Sequence, residues 1–228
     1  MTPQSGPPAT AQPSFSQRLR ERSMRMHQDA EGSSYLTALT GGRLDLTAYA
    51  ALVAQHAAIY QALEDLADRL SGDPVAGRFV FPDLHRRTAL EADLAFLRAR
   101  GVPIPEPTAA TREYAARLAE LTEWPAGFVA HHYVRYLGDL SGGQAIGRLI
   151  ATEYGLVPGG DGVRFYVFDN VKPKPFKDAY RLLLDEAPFD DAEQERVLEE
   201  VLLAYRFNVD VLASLADQIL PHYPQVAS

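Results

Sequence analysis

The chain has 228 residues, 46% of them hydrophobic and 23% charged, with a formal net charge of -8 and no cysteine. Those proportions fit one globular domain and exclude global disorder, while the acidic balance excludes attraction of the whole molecule to nucleic acid or anionic lipid. Without thiols there are no disulfides, no thiolate-held clusters and no thiolate ligation of a metal, so histidine is the natural ligand for iron or zinc and the cytoplasm is the default compartment.

Residues 1–13, rich in Pro, Ser, Thr and Gln, offer too little apolar surface to offset ordering entropy and read as a disordered tail. They also lack the apolar core of a signal peptide. From Ser14 onward Phe15, Leu19, Met26 and Ala30 recur at helical spacing, with Gly32 as an interruption and Gly41-Gly42 as a stop. A second helix is predicted from about Asp45 to Leu70, striped by Leu46, Tyr49, Val53, Ala57, Tyr60 and Leu63. Asp83 can cap a third that carries Leu84, Leu90, Leu94 and Leu97, and the prolines to Pro107 then form a connection. Thr111 to Glu123 reads as helix, and Pro125 opens the next at a permitted first-turn position, running through Gly127 to Tyr154. Val163 to Phe168 is the one β-looking stretch. A single short strand has no evident partner, so it reads as an ordered loop or minor hairpin. Phe176 to Glu186 and Asp190 to Leu220 complete an all-α, single-domain fold of about seven or eight helices over residues 14–220, followed by a short tail at 221–228. No run reaches the roughly 18 apolar residues of a membrane span.

The chemistry concentrates in Tyr136-Leu137-Gly138-Asp139-Leu140-Ser141-Gly142-Gly143-Gln144-Ala145-Ile146-Gly147. Each of its four glycines costs about 1 kcal/mol relative to alanine in a helix. Gly138 and Gly142 are four apart, as are Gly143 and Gly147, so each pair clears side chains from one face. Close helix packing would explain that spacing by itself. It leaves Asp139, Ser141 and Gln144 without a purpose in a packing seam, where buried polar groups need partners. Phosphate-cradling glycine motifs are absent, and no strand precedes the segment.

On the first helix His27 stands seven residues after Arg20 and four before Glu31, one stripe with Arg20 roughly 10 Å away along the axis. Histidine alone at such a place is most often a boundary residue. His131 shares a stripe with Gly138 and is the alternative metal ligand. His56 and His85 read as helix-boundary or surface residues, Met24 and Met26 as packing, and Trp124 as core.

Three segments, Arg20 to Glu31, Phe81-Pro82-Asp83-Leu84-His85-Arg86-Arg87 through Phe96, and Tyr136 to Gln144, together resemble the heme oxygenases, a likeness extending from about Ser14 to Leu220. The resemblance implies the all-helical fold of that family, with heme b sandwiched between the first helix and the glycine-rich distal helix. His27 would be the iron ligand and Glu31 its orienting partner, while Gly138 and Gly142 would form the distal roof. Arg20, Tyr133, Lys177 and Arg181 would hold the propionates, and Asp139 would deliver a proton to bound O2 through ordered water.

The activity implied is oxidative cleavage of heme to biliverdin, carbon monoxide and ferrous iron. Its electrons would come from an external ferredoxin, flavodoxin or NAD(P)H-dependent reductase, because the chain carries no nicotinamide, flavin or cluster motif. The longer N-terminal stretch, the methionines beside His27 and the lack of a hydrophobic C-terminal anchor depart from the family. The last implies a soluble, bacterial-type enzyme with no membrane partner; a monomer is expected, and the acidic balance argues against a nucleic-acid partner. A heme carrier would use the same His27 pocket without needing Asp139, and a packing module would need neither.

Overall fold

The computed structural model describes residues 13–223, without the side chains of 25 and 27–31. Nine α-helices, five 3-10 turns and one π-helical turn account for the regular structure of the described residues. The expected tails at 1–13 and 221–228 fall mostly outside that range. Of the second, Leu220–His222 forms a 3-10 turn and Tyr223 packs against the core.

Helix α1 (Phe15–Glu31) stops before Gly32, and α2 (Ser34–Thr40) stops before Gly41, as the glycine signals predict. The long α3 (Leu46–Leu70) is capped by Asp45, whose carboxylate accepts from Ala48 N. Its first half, Ala48 to Gln55, is buried on all sides, as befits a helix enclosed by others rather than one lying on a surface. Helix α4 (Arg87–Ala99) begins later than the sequence suggests. Pro82–Leu84 is a separate 3-10 turn and Asp83 caps nothing. Instead the buried Glu64 of α3 accepts from the backbone N–H groups of Arg86 and Arg87, doing from a neighbouring helix what a local N-cap does.

Thr108 caps α5 (Ala109–Glu120). Helix α6 (Pro125–Gly138) opens on proline as expected, but it does not run on to Tyr154. A π-helical turn, Asp139–Gly143, intervenes before α7 (Gln144–Glu153). Helices α8 (Pro173–Asp185) and α9 (Asp191–Ile219, capped by Asp190) complete the chain. Helix α9 packs along α6 and α1, while α4 and α5 flank α3.

Val163 to Phe168 is neither strand nor hairpin; it contains the 3-10 turn Arg164–Tyr166. Asp93, fully buried on α4, accepts from the backbone N–H groups of Gly162, Arg164 and Phe165, each at 2.9 Å. One carboxylate thus satisfies three donors that a partner strand would otherwise have met, and it fixes the loop that turns Phe165 and Tyr166 inward.

Candidate functional site

Two cavities meet over the end of α6, and Gly138 and Tyr205 border both. One, of about 360 Å³, lies between α1, the π turn and α8, and it is ringed by cations. Arg20, Lys177 and Arg181 line it with Tyr133, Ser23 and Ser141. Ser141 donates to the carbonyl of Leu137 at 2.6 Å and accepts from Lys177 Nζ at 3.0 Å. Burial, then repulsion from Arg181, pushes the Lys177 ammonium below its ordinary range. The Tyr133 phenol is raised by burial, with Arg181, Arg20 and a hydrogen bond to Ser23 opposing. Arg181 is held by Asp178 at 2.9 Å. In a chain of net charge -8 this clustering of cations is local. Met24, expected as packing, is part of this wall.

The other cavity, about 440 Å³, is walled mostly by aliphatic side chains, among them Leu36, Leu52, Ile59, Val134, Val211 and Leu212. Its polar side chains are the hydroxyls of Thr37, Thr40, Tyr166 and Tyr205 together with His56, Arg135, Asp139 and Asn208. The Asp139 carboxylate accepts a hydrogen bond from the Tyr60 hydroxyl. Burial raises its pKa, opposed by the charge of Arg135, the Tyr60 bond and the charge of Arg86. Arg135 in turn donates to Asn208 Oδ1 and lies 4.8 Å over the Tyr60 ring. Burial works against its charge, yet Tyr60 and Asp139 hold the guanidinium above its ordinary value. The acid therefore sits at the end of a fixed chain Asn208, Arg135, Tyr60, Asp139, with one side open to the cavity.

The glycines divide between two tasks. A Cβ on Gly138 would meet nothing within 4 Å, so the backbone there is an open roof. A Cβ on Gly147 would lie 2.5 Å from Tyr166 Cβ and 2.6 Å from its Cγ, so Gly147 exists to let the loop pack. Gly143 faces the same ring at ordinary contact, 3.8 Å. Gly147 is thus a packing position, Gly143 meets the same ring while also lining the aliphatic cavity, and Gly138 borders both cavities. Gly142 lines the aliphatic one.

His27 and Glu31 belong to α1, and their side chains lie outside the described residues. Position 27 continues the helical stripe of Arg20, Ser23 and Met24, whose side chains line the basic cavity. The alternative ligand, His131, borders neither cavity. It is fully buried, with Nε2 2.7 Å from Glu200 and Nδ1 3.3 Å from the Tyr114 hydroxyl, so both nitrogens are engaged. His56, expected at a helix boundary or the surface, instead lines the aliphatic cavity. Trp124 is half-buried rather than core, its indole N–H donating to Glu193 at 2.6 Å.

Tyr60, Arg135 and Asn208 join the site without having been singled out by spacing. Tyr60 counts as one more apolar position in the α3 stripe. The available signal was Arg135, a cation in an apolar helix four residues before Asp139.

The heme oxygenase family model matches residues 13–214. Heme oxygenase 1 of Gallus gallus is 35% identical over 208 residues, 88% of this chain and 69% of that protein. A heme oxygenase of Rhodella violacea is 34% identical, covering 86% of this chain and 85% of the relative. Among solved structures, heme oxygenase-1 of the cyanobacterium Synechocystis, in complex with heme, superposes with a TM-score of 0.85 at 28% identity, over 94% of this chain and 98% of that one. Heme oxygenase from Leptospira interrogans gives 0.79 at 32% identity, over 88% and 98%.

Proposed function

The chain belongs to the heme oxygenase family, and from that premise we propose that it binds heme in the cleft beneath Gly138 and opens it oxidatively to biliverdin, carbon monoxide and ferrous iron. The observation that carries this reading is the division of the cleft around a side-chain-free stretch of backbone: cations on one side, an aliphatic chamber with a single buried acid on the other.

A flat macrocycle with two carboxylates at one edge matches that division. Arg20, Lys177, Arg181 and the Tyr133 hydroxyl would take the carboxylates, where charge-assisted hydrogen bonds fix orientation as well as affinity. A bare backbone at Gly138 lets a planar ring approach closely. His27 would ligate the iron, with Glu31 one turn on to orient its imidazole. As substrate, heme supplies the iron at which O2 is bound and reduced with electrons from an external ferredoxin, flavodoxin or reductase.

The protein's share is positioning and proton supply. Tyr60 and Arg135 hold the Asp139 carboxylate in one orientation, so that it can order water in the chamber and hand on a proton. Aliphatic walls exclude bulk water and restrict that proton traffic to the acid. Because Asp139 flanks Gly138 and does not project from it, the roof stays low. Among the described residues no helix is long and apolar enough to cross a membrane.

Purified protein mixed with hemin, a chemical reductant and air should lose its heme absorption band as a bile pigment appears. Retention of intact heme through that treatment would reduce the protein to a carrier.

A further inference from the structure

The aliphatic chamber contains one imidazole that the mechanism above does not use. His56 lies on α3 one turn before Tyr60 and lines the chamber with Asp139, Arg135 and the glycine turn. Its ring rests on Phe165, with centroids 4.8 Å apart, and edge-on to Tyr60 at 6.4 Å. Both contacts engage the faces or edges of the ring as carbon surface. No hydrogen bond contributes to the ring's environment, its nitrogens are not among the sealed, unpartnered atoms of the described residues, and the half-buried ring lines the chamber.

An imidazole among leucines, isoleucine and valines is favourable there only when polar partners within the chamber meet its nitrogens. Water is the chemistry at hand: the chamber, at about 440 Å³, has room, and a bound water needs two to four polar partners. His56, Asp139, Arg135, Tyr166 and Asn208 are such partners in its lining.

We propose that His56 is a positioning residue for heme cleavage, its ring anchoring the far end of a hydrogen-bonded water chain whose near end is the Asp139 carboxylate. This deepens the function proposed above and rests on it. Burial, then the charge of Arg135, pushes the imidazole well below its ordinary range, so it is neutral near pH 7. A neutral ring has one N–H and one lone pair, and it can therefore receive a hydrogen bond and give one along the chain. The titratable groups around it are Arg135 from α6, Asp139 from the π turn, Tyr60 from its own helix, Tyr166 from the pinned loop and Tyr205 from α9. None is a histidine or lysine that would compete to hold a proton there.

The test compares wild type, His56→Leu and His56→Gln as ferrous carbonyl complexes, reading the infrared C–O stretch in H2O and in D2O alongside steady-state turnover. Loss of the polar anchor in His56→Leu shifts the stretch to higher wavenumber and abolishes its solvent-isotope response. In that variant kcat falls about tenfold, the scale of one neutral hydrogen bond, while KM for heme stays put. His56→Gln, which keeps a donor and an acceptor, recovers most of both readouts. If the ring were only packing, leucine would replace it in an aliphatic wall without effect. An unchanged band, unchanged isotope response and full turnover in the leucine variant overturn the proposal. Failure of the wild type to take up hemin at all would overturn the functional reading, and this inference with it.

Discussion

The Tyr60 hydroxyl donates to the carboxylate of Asp139 across 79 residues of chain, tying the middle of α3 to the first residue of the π turn. Both groups are buried enough that each is pushed toward its neutral form, and Arg135 beside them keeps the pair polar. The acid is consequently held at the roof of the aliphatic chamber in one orientation, without a strong acid directly over the open backbone of Gly138.

That arrangement separates binding from chemistry at Asp139. Asp139→Ala should bind hemin with unchanged affinity, because Asp139 borders the aliphatic chamber and not the basic cavity. Its cleavage rate should fall by roughly 10²-fold, the lower range for a lost general acid. Hemin titration followed by pigment yield measures both, and a normal yield would remove Asp139 from the mechanism.

The glycines give a matched pair of outcomes. Gly147→Ala puts a methyl group into the Tyr166 ring and should lower stability by about 1–3 kcal/mol, the usual range for overpacking. Gly138→Leu has free space at its Cβ and exchanges a poor helix former for a good one, so the heme-free protein should melt no lower than wild type. Its longer side chain would occupy the space proposed for heme, raising Kd about tenfold or more, some 1.4 kcal/mol. Thermal melts should set Gly147→Ala apart from wild type, and hemin titrations should set Gly138→Leu apart.

Helices with a regular apolar stripe were legible in the sequence because the stripe records burial directly. Gly32, Gly41 and Pro125 marked their ends for local backbone reasons. What escaped was whatever depends on residues distant in the chain. Asp93 reads as a surface acid on an amphipathic helix, yet it replaces a missing strand for the 162–165 backbone. Glu64 caps a helix that begins 23 residues later. The π turn hid because its glycines fit an α-helical count as well as a π one, and Tyr60 because a tyrosine in an apolar stripe looks like core until its hydroxyl finds a partner. Of the candidate site residues, Arg20, Tyr133, Lys177 and Arg181 converge on one cavity, although nothing in their local spacing requires three helices to meet there.

Buried histidines set the acid limit of the fold. Burial, with His85 adding repulsion, brings His132 down to about 3, and burial lowers His131 despite the hydrogen bond from its Nε2 to Glu200. In each the folded value lies below the unfolded one near 6.5, so the unfolded chain takes the proton first. Stability is fully present above pH 6.5 and declines as pH falls below it. His132 should withdraw roughly 2 kcal/mol between pH 7.5 and 5, and His131 acts in the same direction. Burial opposes charge on Glu200, but hydrogen bonds from His131 and Arg117 outweigh it and draw its carboxyl down to about 2. Its contribution is therefore retained above the ordinary carboxylate range and lost only from about pH 4.5 downward. Urea melts across this range should show the two stages, and His132→Phe should flatten the first by about one proton. An identical slope in that variant would mean that His132 is already protonated in the native state.

The basic cavity should govern orientation more than catalysis. Arg181 is held by Asp178, whereas Lys177 reaches across to Ser141, so the two cations approach the cavity from fixed and different directions. A carboxylated ring docked against both has one in-plane rotation; docked against one, it has more. Because both cations are partly exposed, removing either should cost on the order of 1 kcal/mol of heme affinity, a loss of roughly fivefold in Kd. Arg181→Ala should accordingly keep substantial turnover yet yield a mixture of biliverdin isomers where wild type yields a narrower set, as read by chromatography of the extracted pigment. Lys177→Ala should also free Ser141, leaving its hydroxyl on the Leu137 carbonyl alone, and should alter the isomer ratio in a different proportion. If both variants returned the wild-type isomer pattern, the rotation would be set by the aliphatic chamber instead, and the cations would serve only to draw the substrate in.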